Sequence, residues 1–207
     1  MHRRTAPAVA VLLAALLAGC GSSEEPKGSP EPAASQSTEQ APEEPAEETP
    51  VEKTLELGEP AETIGSGGTG ALEVTPDTIV YATEGTGETP DNEVFAVVAI
   101  KLQPTNAVAA AQAAPIDGGG WSWIAADGQA VSTGSGTAYN VTPDGYTAGG
   151  EIQPGTHEWA TAAFDLTAEQ AKSGTLMYVD GAGTAHRWEM PDQDTGPQAD
   201  KLKQALQ

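Results

Sequence analysis

Residues 93–103 read Glu93-Val94-Phe95-Ala96-Val97-Val98-Ala99-Ile100-Lys101-Leu102-Gln103. Side chains of an extended strand alternate between its two faces. Val94, Ala96, Val98, Ile100 and Leu102 therefore share one wholly apolar face. The other face begins apolar, with Phe95, Val97 and Ala99, and turns polar at Lys101 and Gln103. A strand apolar on both sides must be covered on both sides, so this one is expected at the centre of a layered β domain, emerging toward its end.

The flanking sequence repeats the alternation in shorter pieces. Upstream, Leu72 and Val74 alternate before Pro76-Asp77, and residues 78–82 make a second short strand. Downstream, Trp121-Ser122-Trp123-Ile124 leads into a turn at Ala126-Asp127-Gly128-Gln129. Residues 139–141 and 146–152 flank another turn signature, Pro143-Asp144-Gly145. Ala160, Ala162, Phe164 and Leu166 alternate next. Thr167-Ala168-Glu169-Gln170 then reads as a capping box for one helical turn, stopped near Gly174. Residues 176–180 and 186–190, joined by Gly181-Ala182-Gly183, complete the set. The run 107–114 is the one plausible longer helix, cut off by Pro115 and Gly118-Gly119-Gly120. Seven or eight short strands separated by turns predict an all-β fold, a sandwich of two antiparallel sheets.

Residues 1–20 differ in kind. His2, Arg3 and Arg4 form a cationic opening, residues 6–17 are almost entirely Ala, Val and Leu, and Leu17-Ala18-Gly19-Cys20 follows. A dozen helical residues span about 18 Å, short of the ~30 Å hydrocarbon layer, which argues against a permanent membrane span. A signal peptide fits the charge, the length and the small residues at the end. Arg3-Arg4 raises the twin-arginine export route, but Thr5-Ala6-Pro7 lacks the large apolar residues expected after that pair, so an ordinary positive region is expected.

Residues 17–20 resemble the lipobox of bacterial lipoproteins, in which Leu, a small residue and Gly or Ala precede Cys. The resemblance implies cleavage between Gly19 and Cys20, and a diacylglyceryl group on the Cys20 sulfur that ties the protein to membrane lipid. Two acyl chains hold stably where one, at ~0.8 kcal/mol per buried methylene, is marginal.

Residues 21–63 carry twelve Glu and two Lys among many Pro, Ser, Ala and Thr, with no aromatic residue. Such a segment buries too little apolar surface to offset the entropy of ordering. It is expected to be a disordered spacer spanning about 35–40 Å as a flexible coil. The expected organisation is a signal peptide over 1–19, lipidated Cys20 with a disordered acidic tether through 63, the sandwich over 64–191, and a polar tail over 192–207. Within that tail Leu202 and Leu206, four apart, fit a short amphipathic helix that frays or docks.

The sandwich stretch also resembles the Ig-like domains of unknown function found on lipoproteins of Gram-positive bacteria. Four pieces in order carry the resemblance: a long apolar strand ending near Asn106, the aromatic strand leading into Asp127-Gly128, the turn Gly150-Glu151-Ile152-Gln153-Pro154-Gly155, and Phe164-Asp165-Leu166 followed by a helical turn and Leu176-Met177-Tyr178. The insertion at 107–120 departs from that pattern. The resemblance implies an Ig-like sandwich at the cell envelope, a role in binding or assembly, and no catalytic residues.

Charge narrows the function classes. The chain of 207 residues carries 30 acidic and 9 basic side chains, a net −21. Nucleic acid is not expected as a partner, since phosphate binding needs clustered Lys and Arg. Charge-driven adsorption to anionic headgroups is excluded on the same ground. A single Cys allows no intrachain disulfide and no cysteine-based zinc site.

Gly65-Ser66-Gly67-Gly68-Thr69-Gly70 spells the dinucleotide fingerprint but lacks the preceding strand and following helix that the chemistry needs, so a flexible hinge is expected. His157 and His186 lie in no metal-binding helix pattern, and His186 is in phase with Trp188 and Met190, which suits a hydrogen-bonded histidine within the sandwich. No serine has the flanking glycines of a nucleophile elbow. Asp192-Gln193-Asp194-Thr195-Gly196 opens like a calcium loop, but Leu202 stands where the bidentate Glu belongs. Trp121, Trp123, Tyr139 and Tyr146 are candidates for a sugar-stacking face, with core packing the commoner fate. The sequon Asn140-Val141-Thr142 is read as chance. No catalytic residue, metal ligand or cofactor is expected, and the ligand-binding residues are not identified. The expected function is a non-enzymatic, lipid-anchored binding or assembly module on the extracytoplasmic face, with an envelope protein or wall component as partner. An accessory subunit for a small ligand and a carboxylate-dependent envelope hydrolase are the alternatives.

Overall fold

The computed structural model describes residues 54–207, apart from the side chain of Asp117. Nine strands and one α-helix are present among the described residues: β1 Thr54–Glu56, β2 Ala61–Ile64, β3 Ala71–Ala82, β4 Val94–Pro104, β5 Gly120–Ile124, β6 Ala130–Ser132, β7 Glu158–Leu166, β8 Thr175–Val179, β9 Ala185–Glu189 and α1 Ala199–Ala205. They form two sheets, ordered β2-β3-β4-β7 and β1-β9-β8-β5-β6. The chain changes sheet between β1 and β2, between β4 and β5, between β6 and β7, and again between β7 and β8. That alternation gives the Greek-key connectivity of an Ig-like β-sandwich.

Residues 93–103 do what their alternation predicts. β4 is central, paired with β3 on one side and β7 on the other. Its face bearing Ala96, Val98, Ile100 and Leu102 packs between the sheets with Trp123, Phe164, Leu176, Tyr178 and Trp188. Its other face, Phe95, Val97 and Ala99, is also buried, under a second cluster containing Val141, Tyr146, Leu202 and Leu206. The C-terminal segment is therefore the cover of the outer face and part of the domain. Leu202 and Leu206 both sink into that cluster, and burial of such side chains is worth about 1.5–3 kcal/mol each. The Thr86 N–H donates to the Leu206 carbonyl at 2.6 Å.

Several boundaries differ from expectation for physical reasons. Residues 54–63, expected in the tether, form β1, β2 and the turn between them. Leu55 and Leu57 pack against the core, Ala61 and Thr63 are buried, and the Trp188 Nε1–H donates to the Glu59 carbonyl at 2.8 Å. A few apolar anchors thus outweigh a Glu-rich average. β1 pairs parallel with β9, so the sandwich is not wholly antiparallel. Pro76-Asp77 does not end a strand: β3 runs through it with a bulge between Pro76 and Thr78. The extra residue reverses the alternation, so that Leu72, Val74 and Ile79 all face the inner core while Val80 faces the outer cluster.

The stretch 107–114 is irregular rather than helical. The N–H of Ala110 donates to the Ile152 carbonyl at 3.2 Å, and the Ile152 N–H donates back to Ala110 at 2.9 Å. These tertiary partners take groups that a short, marginal helix would pair internally. Residues 139–141 and 146–152 form no named strand; a 3-10 turn occupies Gly136–Asn140. At 167–170 the capping box is made, with Thr167 Oγ1 accepting from the Gln170 N–H and Gln170 Oε1 accepting from the Thr167 N–H, at 3.2 and 2.9 Å.

Candidate functional site

The irregular segments around 111–115 and 147–150 lie over the margin of the sandwich where β5, β6 and β7 approach one another. Each is held by hydrogen bonds to the strands beside it. The Trp121 Nε1–H donates to Gln112 Oε1 at 2.8 Å, the Ala113 N–H donates to the Tyr178 hydroxyl at 2.7 Å, and the Ala148 N–H donates to the Trp159 carbonyl at 3.0 Å. Between these segments and the sheets lie two adjoining hollows of about 280 and 460 Å³, which share Pro115, Thr133, Ala148 and Thr161 in their walls. Together they form one groove.

Two properties set the groove apart. Among the described side chains its lining holds none that is charged, although residues 54–207 carry 21 acidic against 5 basic side chains, a net −16. Thr133, Thr142, Thr147 and Thr161 put hydroxyls among the Ala, Gly and Pro residues of the wall. At its rim stand the two most exposed large apolar side chains of the described residues, Tyr139 at 79% and Ile116, next to Pro115, at 92%. The Tyr139 ring lies over a glycine with positive φ: a β-carbon at Gly134 would stand 3.5 Å from Tyr139 Cδ2.

The other candidate residues are dispersed. Cys20 and Gly19 lie outside the described residues. Trp121, Trp123 and Tyr146 are buried, so the four aromatics do not form one stacking face; Tyr139 alone is exposed. Their indole and phenol groups are tied internally, with Trp123 Nε1–H donating to the Gln170 carbonyl and the Tyr146 hydroxyl bonded to Gln198. His186 is the hydrogen-bonded histidine its phase suggested, with Nε2 3.4 Å from Asp180 Oδ2. His157 is exposed before β7, its ring edge-on to Trp159. Residues 65–70 are no free hinge but a packed loop between β2 and β3. The Ser66 N–H donates to the Ala111 carbonyl and the Gly181 N–H to the Ile64 carbonyl. A β-carbon at Gly181 would sit 1.8 Å from the Gly65 carbonyl oxygen, so only glycine fits there.

Asp180 organises that corner. Its buried carboxylate accepts from the N–H groups of Ile64, Ala182 and Thr184 at 3.0, 2.9 and 2.9 Å. Burial raises its pKa, but these donors and His186 outweigh it and leave the carboxyl below its ordinary value. Asp192 and Asp194 are spent on structure as well: Asp192 accepts from the Ser173 N–H, and Asp194 accepts from the Tyr81 N–H and pairs with Lys203 Nζ at 2.6 Å. Among the described residues no three His, Cys, Asp or Glu side chains converge to hold a metal ion.

The groove was not found from the sequence because 107–114 resembled a helix and 146–152 a strand. The available signal was local: Ile116 and Tyr139 are large apolar residues set among Pro, Gly and Thr, where no periodic element buries them.

No family model matches the chain, and no curated protein matches it. Among solved structures, the secreted protein MPT63 of Mycobacterium tuberculosis superimposes on 69% of this chain and all of its own, at 14% identity and a TM-score of 0.48. The ycdA protein of Bacillus subtilis, provisionally designated a lipoprotein, covers 72% of this chain and 41% of its own, at 11% identity and a TM-score of 0.43. No helix of the described residues is long and apolar enough to cross a membrane.

Proposed function

We propose that this chain is the precursor of an extracytoplasmic lipoprotein, anchored through acyl chains on Cys20 and carrying a non-enzymatic binding module for an envelope partner. The observation that carries the reading is Leu17-Ala18-Gly19-Cys20 placed directly after a cationic opening and a short apolar run. The geometry of the domain supports it. The chain enters the sandwich at β1, the edge strand on one margin of the five-stranded sheet, while the groove lies beside β6 at the opposite margin.

Replacing Cys20 tests the anchor. Cys20→Ser is expected to abolish incorporation of labelled fatty acid and to release the protein from the membrane fraction. Labelling that persists in the variant refutes the assignment.

A further inference from the structure

We infer that the groove between Pro115 and Tyr139 binds a neutral oligosaccharide, an inference that rests on the reading of the domain as a binding module. Charge comes first. A net −16 domain repels anionic ligands and equally repels a second copy of itself. Cationic ligands are drawn to the acidic surface, and the described side chains of the groove wall offer them no carboxylate. The occupant that loses nothing by entering is uncharged.

Geometry then separates the neutral classes. An extended peptide would recognise the groove by adding a strand to β7. At this margin the Gly134 N–H already donates to the Ala163 carbonyl at 2.9 Å and the Ala148 N–H to the Trp159 carbonyl at 3.0 Å, which occupies that edge. An acyl chain gains most from an enclosed apolar tunnel, whereas this wall carries the exposed Thr142 and Thr147, together with Thr133 and Thr161, whose hydroxyls donate to the carbonyls of Ala163 and Tyr146 and keep their lone pairs as acceptors. A pyranose matches both features. Its apolar C–H face stacks on an exposed aromatic ring, as Tyr139 offers, and its hydroxyls exchange hydrogen bonds with threonine side chains. The combined hollows also reach the size of small-molecule sites, about 300–1,000 Å³.

The test is calorimetric titration of the full chain in detergent with chitohexaose and maltohexaose, alongside an oligogalacturonate as anionic control. Binding of a neutral oligomer, and not of the galacturonate, is expected. Tyr139→Ala should weaken it about tenfold, a loss of roughly 1.4 kcal/mol, and Thr161→Val should weaken it further, with thermal unfolding of Tyr139→Ala unchanged because that side chain is exposed. Absence of heat with both neutral oligomers overturns the inference, as does equal binding of the galacturonate or undiminished binding by Tyr139→Ala. Fatty-acid labelling of Cys20 is unaffected by any of these outcomes, so failure here is distinct from failure of the anchor.

Discussion

The backbone N–H of Ala113 donates to the hydroxyl oxygen of Tyr178 at 2.7 Å, joining two residues 65 positions apart in the buried interior. This bond pins one wall of the groove to the five-stranded sheet. Tyr178→Phe removes the acceptor and leaves a buried N–H unpaired, which costs about 1–3 kcal/mol. Chemical denaturation should read that loss, and hydrogen exchange should show reduced protection at Ala113.

The same tyrosine predicts alkaline behaviour. Burial pushes its hydroxyl up from 10.0 to about 12, the Ala113 donation pulls the other way, and Asp180 adds to the rise. An unfolded tyrosine ionises near 10, so above that pH the unfolded chain binds fewer protons than the folded one. Stability should therefore fall as pH rises from about 10 toward 12. In Tyr178→Phe the fall should be shallower, as followed by circular dichroism.

At the acid end Asp180 matters most. Its lowered pKa means that its contribution is complete above the ordinary carboxylate value and is lost as pH falls through the folded value. Asp180→Ala strands three N–H donors and is expected to cost roughly 2–4 kcal/mol at neutral pH. Urea unfolding across the acid range should show a flatter acid limb in the variant than in the wild type.

The C-terminal helix offers a fourth measurement. Leu202 is fully buried against the outer face of β4, so Leu202→Ala should destabilise the domain by about 2–5 kcal/mol. An unchanged denaturation midpoint would show that α1 contributes no cover.

Gly174 tests the inner core. A β-carbon there would lie 2.0 Å from Cζ2 of Trp123, a fully buried ring. Gly174→Ala should force the indole to shift and cost about 1–3 kcal/mol. A lowered melting temperature with an altered near-ultraviolet Trp spectrum is the expected result.

Much of the sandwich was legible in the residues. Alternation at 94–102, the aromatic strand at 121–124, the alternation at 160–166 and the hairpin at 176–190 each depend on neighbours two apart, and period-two burial is a local property of the chain. The capping box at Thr167 and Gln170 is equally local, as is the phase that placed His186 inside the sandwich. What failed depended on partners far away. Pro76 marks an irregularity beside Asp77, but whether the strand ends there or bulges and runs on is decided by its pairing with β4. Nothing in a Glu-rich stretch announces that Leu55 and Leu57 reach the core.

The amino-acid sequence by itself determined an all-β domain with a central apolar strand, because side-chain direction in a strand follows from covalent geometry alone. Tertiary structure decided which aromatics were covered, which way 107–114 ran and where an uncharged groove opened. Those outcomes depend on hydrogen bonds such as Ala110 with Ile152 and Ala113 with Tyr178, whose partners are brought together only when the sheets pack.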